Sequence, residues 1–247
     1  MNGYYRLDMA PTYDSVTAYC VIGVLRLSVI IGVLQVATAL AQIPPNEIEL
    51  GRYRGLFAAA AAGNITEIER LSADTDLESR DSHGRTALLV ASHFSHDEIA
   101  KSLLEAGADA NALDDQRYDL ITIAAVNNDV DMIRLGLEFG ADSTTVTSPY
   151  DGTALIAAAH LGHVESVAAL ISAGAPLDHV NNLGWTALIE AIVLGDGGDR
   201  HVQILQLLIN SGANVNLTDR AGTTPMTLAK ARGYTEMVRL LELAGAQ

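Results

Sequence analysis

The sequence predicts an all-α solenoid of about six helix-turn-helix units with short hairpin loops, and three observations carry that prediction. The dipeptide Gly-Ala recurs at Gly107, Gly140, Gly174, Gly212 and Gly245, spaced 33, 34, 38 and 33 residues apart. Each copy follows a Leu- or Ile-rich stretch of helical character. Between copies runs one template: a turn, Thr-Ala-Leu or a variant, an Ala pair, a break often reading Gly-His, then a second apolar stretch. Self-similarity at such a period marks supersecondary units that cannot bury their apolar faces alone and stack to make a core.

Each part of the template has a physical reason. Thr86, Thr153, Thr186 and Thr224 stand where a side-chain oxygen can accept from the free N–H groups opening the first helix. The five Gly-Ala glycines stand where the second helix must end in a left-handed residue. Ala91, Ala124, Ala125, Ala158 and Ala191 are small enough for first helices to approach closely, while Leu103/Leu104, Leu170/Ile171, Leu207/Leu208 and Leu240/Leu241 fill the space between second helices. The units run over 54–80, 81–113, 114–146, 147–180, 181–217 and 218–247. The end units carry charge on a second helix or at its approach, with Glu67, Glu69 and Arg70 in the first and Lys230, Arg232 and Arg239 in the last, as caps require. The third unit is the least regular, with Asp119 in the Thr position and Gly136 inside its second helix, where glycine costs about 1 kcal/mol relative to Ala.

The template resembles the ankyrin repeat from about Arg54 to Gln247. Gly84-Arg-Thr-Ala-Leu, Gly107-Ala-Asp-Ala-Asn111, Gly152-Thr-Ala-Leu, Gly162-His-Val-Glu165, Gly184-Trp-Thr-Ala-Leu188 and Gly222-Thr-Thr-Pro-Met226 carry the resemblance. The family's usual His after Thr-Pro-Leu is replaced by Leu89, Thr122, Ile156, Ile189 and Thr227, which implies apolar packing where the family places a polar bond. The fifth unit carries an insertion, Leu194-Gly-Asp-Gly-Gly-Asp-Arg-His201, which accounts for the 38-residue spacing. That loop, shortly after Gly-Trp-Thr-Ala-Leu, resembles one in exported, periplasmic bacterial ankyrin repeat proteins.

The N-terminal region has a different composition. Leu27 to Gln42 carries no charge and contains Ala39-Leu40-Ala41, the small-residue spacing that signal peptidase accepts after an apolar run. The expected organisation is an upstream extension over 1–23 arising from a misassigned start, a signal peptide over 24–41 cleaved after Ala41, a linker over 42–53 and repeats over 54–247. Starting at Val24 makes Arg26 the basic segment that a signal peptide needs, whereas Met1 to Tyr19 carries Asp8 and Asp14. The expected destination is the periplasm or the exterior. The alternative is an inner-membrane anchor, although the apolar run is shorter than the roughly 20 residues that span a bilayer.

Composition narrows the chemistry. The net charge of −15 is unchanged by removal of 1–41, and such a surface repels phosphate backbones, so neither nucleic acid nor, after cleavage, an anionic membrane is an expected partner. The only cysteine, Cys20, lies upstream of the cleavage, which removes disulfides and cysteine catalysis from the mature chain. No Gly-x-Ser-x-Gly elbow, Gly-rich phosphate loop with a following Lys, or His-Glu-x-x-His is present. His93/His96 and His160/His163 have helical i, i+3 spacing, yet the pairs lie two repeats apart, too far for a shared zinc; capping and packing are expected of His96 and His163. Asp196 and Asp199 in the insertion lack calcium-loop spacing. No metal, no cofactor and no enzymatic activity are expected.

Recognition in such a solenoid falls on hairpin tips and the exposed side of the first helices. The residues expected to bind a partner are Arg85, His93, Phe94, Arg117, Tyr118, Tyr150, Trp185, Leu194 and Arg232. Tyr118, Tyr150 and Trp185 fall near equivalent positions in successive units and would form an aromatic strip flanked by Arg85 and Arg117, residue types that anchor interfaces. The expected function is a monomeric, non-enzymatic scaffold that binds a protein through its concave groove. The alternative is a dedicated periplasmic accessory or immunity-type factor that protects, inhibits or stabilises one enzyme.

Overall fold

The computed structural model describes residues 42–247, so the segments 1–23 and 24–41, expected to be an upstream extension and a signal peptide, lie outside the described residues. Among these there are thirteen helices: α1 Glu47–Arg52, α2 Gly55–Ala62, α3 Ile65–Ser72, α4 Ala87–His93, α5 Asp97–Glu105, α6 Leu120–Asn127, α7 Val130–Glu138, α8 Ala154–Leu161, α9 Val164–Ser172, α10 Ala187–Val193, α11 Asp199–Asn210, α12 Pro225–Arg232 and α13 Thr235–Leu243. From α2 onward they form six pairs, one per repeat. Even-numbered helices stack on one another as an inner layer, and odd-numbered helices from α3 onward stack as an outer one.

Local chemistry starts and stops these helices as the template demands. Thr86, Thr153, Thr186 and Thr224 accept from the N–H groups of Leu89, Ile156, Ile189 and Thr227 at 3.3, 3.4, 3.2 and 3.3 Å. Asp119 performs the same task for α6, accepting from Thr122 N–H at 2.8 Å. Gly107, Gly140, Gly174, Gly212 and Gly245 all adopt positive φ just beyond the outer helices. Ala91, Ala124, Ala125, Ala158 and Ala191 are completely buried between inner helices, and Leu103, Leu170, Leu208 and Leu241 are buried in the outer layer.

Gly136 is a finding against expectation. A Cβ there would stand 2.9 Å from Ile121 Cγ2 and 2.9 Å from Leu120 Cδ2. The glycine lets α7 press against α6, so it is a packing requirement and not a weak point.

Residues 42–53, expected to be a linker, are packed against the repeats. Asn46 opens α1 with a capping box, its side chain accepting from Ile48 and Glu49 N–H while Glu49 reaches back to the Asn46 N–H. Glu49 and Pro45 are buried. The segment docks because Glu49 meets a guanidinium in the second repeat.

Candidate protein interface

One side chain in five repeats shapes the hairpin that precedes each inner helix. Asp81, Asp114, Ser148, Asn181 and Asp219 each accept from backbone N–H groups two and four residues ahead, so each tip turns on its own internal acceptor. Successive tips are tied by backbone bonds from Asp115 to His83, Ser148 to Arg117 and Asn182 to Tyr150. The repeat template alone did not single out this position, although an Asp, Asn or Ser stands four residues before the residue that precedes each cap.

A second ladder binds the inner layer from the side. His96 and His163 leave their helix ends uncapped by side chain. Their Nδ1 atoms meet the carbonyls of Ala60 and Ala125 in the preceding repeat at 3.0 and 2.9 Å. His201 Nε2 meets the His160 carbonyl at 3.1 Å, and Tyr234 donates to Gly195 at 2.9 Å. The insertion 194–201 is drawn into this ladder: Asp196 accepts from Gly198 N–H at 2.9 Å and contacts His201 Nδ1 at 2.9 Å, while His201 itself is buried in α11. Among the described residues no group of three or more His, Cys, Asp or Glu is arranged to hold a metal.

On this frame the residues expected to bind a partner divide. Arg85 is 0% exposed. Its Nε and Nη2 both contact Asp81 Oδ2 at 2.8 Å, Nη2 meets Glu49 Oε2 at 3.0 Å, and Nη1 donates to the Ile43 carbonyl at 2.9 Å. Tyr53 completes the cluster, its hydroxyl donating to Asp81 Oδ2 at 2.6 Å. Burial raises the Glu49 and Asp81 carboxyls, but the Asn46 N–H and the Arg85 guanidinium at Glu49, and the Tyr53 hydroxyl and hairpin N–H groups at Asp81, outweigh it and hold both below the usual carboxylate range. Tyr118 is 1% exposed, and burial pushes its phenol up to about 12. It borders a residual cavity of about 10 Å³ shared with Thr122, Tyr150 and Ile156. Arg85 and Tyr118 therefore face the protein interior, and the expected aromatic strip is interrupted at Tyr118. Arg85 lies under the N-terminal segment, which contacts it through Ile43 and Glu49.

The others retain some solvent contact. His93, Phe94, Tyr150, Trp185, Leu194 and Arg232 are partly buried and Arg117 is exposed. Burial, helped by the Arg85 charge, lowers His93 to about 4, so this ring is neutral at physiological pH. Phe94 stacks against His96 with ring centroids 5.9 Å apart. Arg117 bridges hairpins by pairing with Asp151 at 2.8 Å. Arg232 donates to the Val193 carbonyl at 3.1 Å, tying α12 to α10. Tyr150 and Trp185 occupy adjacent tips but different positions within them: Tyr150 follows its turn residue Ser148 by two, Trp185 follows Asn181 by four. Beneath them lies a group the sequence analysis did not single out. Glu190, 1% exposed, accepts from Asn181 Nδ2 at 2.8 Å and contacts His160 Nδ1 at 3.1 Å.

Stacked helix pairs with backbone-tied tips and stacked inner helices define a repeat scaffold. The ankyrin repeat family model matches residues 34–114 and 120–219, and a second ankyrin model matches 198–242. This chain belongs to the ankyrin repeat family, whose domains are in general non-catalytic protein-interaction modules. It is similar to the ankyrin repeat protein YahD of Escherichia coli K12, 36% identical over 190 residues, covering 76% of this chain and 94% of that protein. Among solved structures it is similar to an ankyrin repeat domain from Acinetobacter baumannii AYE, with 45% identity, a TM-score of 0.75 and coverage of 78% of this chain and 98% of that one. The ankyrin repeat domain of Bcl-3 is 28% identical, with a TM-score of 0.72 and coverage of 79% and 87%.

Proposed function

We propose that this chain is a non-enzymatic scaffold that binds a protein through the part of its concave face formed by the fourth to sixth repeats. One observation carries the reading: Tyr150 and Trp185 stand partly exposed on adjacent hairpin tips whose backbones are joined by the Asn182 to Tyr150 bond at 2.8 Å. Rigidly spaced aromatic side chains of this kind anchor interfaces at low entropic cost. Leu194 and Arg232 lie at the far ends of inner helices on the same layer and extend the surface. The net charge of −15 favours a partner with a basic or neutral contact face over nucleic acid.

Export to the periplasm is the destination supported by the uncharged run from Leu27 to Gln42 and by Ala39 and Ala41 before the proposed cut. N-terminal sequencing of the native product checks it: a chain beginning at Gln42 is expected, and one retaining residues 1–20 refutes it. Affinity capture with the native chain against a Tyr150→Ala, Trp185→Ala double variant tests the interface. Loss of the captured protein from the variant is expected; undiminished capture removes these tips from the interface. Capture of one enzyme alone identifies a dedicated factor, and capture of several proteins identifies an adaptor.

A further inference from the structure

Residues Gln42–Pro45 lie over the second and third repeats, ahead of the fourth to sixth repeats that carry the proposed interface, and are held there by groups of the repeats. Gln42 Nε2 donates to the Thr122 carbonyl in the first turn of α6 at 3.1 Å. Arg85 Nη1 donates to the Ile43 carbonyl at 2.9 Å. Pro45 is buried. Arg85 directly precedes the cap of α4, and Thr122 lies three residues beyond the cap of α6. Both contacts therefore fall where hairpins meet inner helices, the floor of the groove over the second and third repeats.

The strap has the chemistry of a bound peptide. Pro44 and Pro45 fix their own φ and bias the preceding residue toward an extended conformation, so little freedom is lost on docking. Arg85 spends Nε and Nη2 on carboxylates; Nη1 is the donor it turns to a main-chain carbonyl. The strap is also separable from its anchor. Ile43 is 45% exposed, whereas Glu49 is buried against Arg85 beyond the capping box at Asn46. The ties that hold α1, the Asn46 capping box and Glu49 against Arg85, do not involve residues 42–45.

We infer that Gln42–Pro45 is an intramolecular occupant of the groove over α4 and α6, seated where an extended, proline-bearing segment of a protein partner would lie. This rests on the groove reading above and deepens it: that half of the groove opens only when the strap lifts. What it recognises is an uncharged extended segment offering a main-chain carbonyl to Arg85 Nη1 and a side-chain amide donor to the Thr122 carbonyl.

The test needs no partner. The probe is the peptide acetyl-Gln-Ile-Pro-Pro-Asn-amide, titrated into the isotope-labelled full chain and into a full-chain variant carrying Gln42→Gly, Ile43→Ser, Pro44→Gly and Pro45→Ser, followed by NMR. A tethered segment competes at an effective concentration on the order of millimolar. Saturable shifts at Arg85 Nε and Thr122 are expected in the variant, with apparent binding at least tenfold weaker in the unaltered chain. No saturable shift in a variant whose other resonances are unmoved overturns the inference, as does equal binding to both chains. Should the fourfold variant lose its native spectrum, the milder Gln42→Ala, Pro45→Ala variant is read by the same two criteria. Failure here with capture through Tyr150 and Trp185 intact sinks the strap alone; peptide binding without any captured protein sinks the groove reading instead.

Discussion

Arg85 Nη2 stands 3.0 Å from Glu49 Oε2, joining the segment ahead of the repeats to the base of the second hairpin through a fully buried guanidinium. Removing one partner of a buried charged network leaves the rest unpaired and costs about 3–5 kcal/mol. Arg85→Ala is therefore expected to lower the urea unfolding free energy by that order. A surface arginine would change stability by well under 1 kcal/mol, so a near-neutral result would remove the latch.

The same cluster sets the acid side of the stability profile. Glu49 and Asp81 titrate in the folded protein below their ordinary values. The stability they contribute is therefore present above the unfolded carboxylate range near pH 4 and is lost as pH falls through their folded values. Urea midpoints measured from pH 7 downward are expected to drop below about pH 4, and the drop should be shallower in Arg85→Ala.

Asp119 behaves in the opposite sense. Burial raises it from 3.8 to about 6, so its contribution is fully present below the unfolded value near pH 4 and disappears as pH climbs through about 6. At pH 8 the cap of α6 is a buried anion where its equivalents Thr86, Thr153, Thr186 and Thr224 are neutral. Asp119→Thr is expected to stabilise the chain by about 1–3 kcal/mol at pH 8, with the gain shrinking toward pH 4. A gain independent of pH would show that the ionised carboxyl is not its source.

The Tyr118 hydroxyl is buried without a hydrogen-bond partner. Removing such a group relieves its desolvation, so Tyr118→Phe is expected to be neutral or stabilising by about 1 kcal/mol, whereas Tyr118→Ala costs about 3–5 kcal/mol through lost packing. Thermal unfolding of both variants checks this. A large loss in the Phe variant would mean that the hydroxyl is satisfied in solution.

These positions show where sequence reasoning reaches and where it stops. The Thr caps and the Gly-Ala helix ends were legible because each depends on residues within a few positions of itself: an N–H three residues ahead, or one left-handed φ. Arg85, Tyr118 and Trp185 occupy one equivalent position before the cap, yet two are buried and one is partly open. For Arg85 the cover is a segment beginning more than thirty residues upstream. No periodicity encodes such a crossing. The buried Glu190 was similarly hidden, because its partners Asn181 and His160 come from a hairpin and from the neighbouring repeat.

Gly136 separates the two levels of argument most sharply. Helix propensity alone says that Gly136→Ala should stabilise α7 by about 1 kcal/mol. Packing says the reverse, since the added methyl would stand 2.9 Å from side-chain carbons of both Leu120 and Ile121, which are themselves 0% and 1% exposed and have nowhere to move. Overpacking of a tight core costs about 1–3 kcal/mol, which exceeds the propensity gain or at best cancels it. Gly136→Ala is expected to lower the unfolding free energy, and in a double-mutant cycle with Leu120→Val, which removes the colliding Cδ2, the two losses should be less than additive. A stabilised single variant would mean that α6 and α7 can separate without penalty, and the third repeat would then be the pliable unit its sequence suggests.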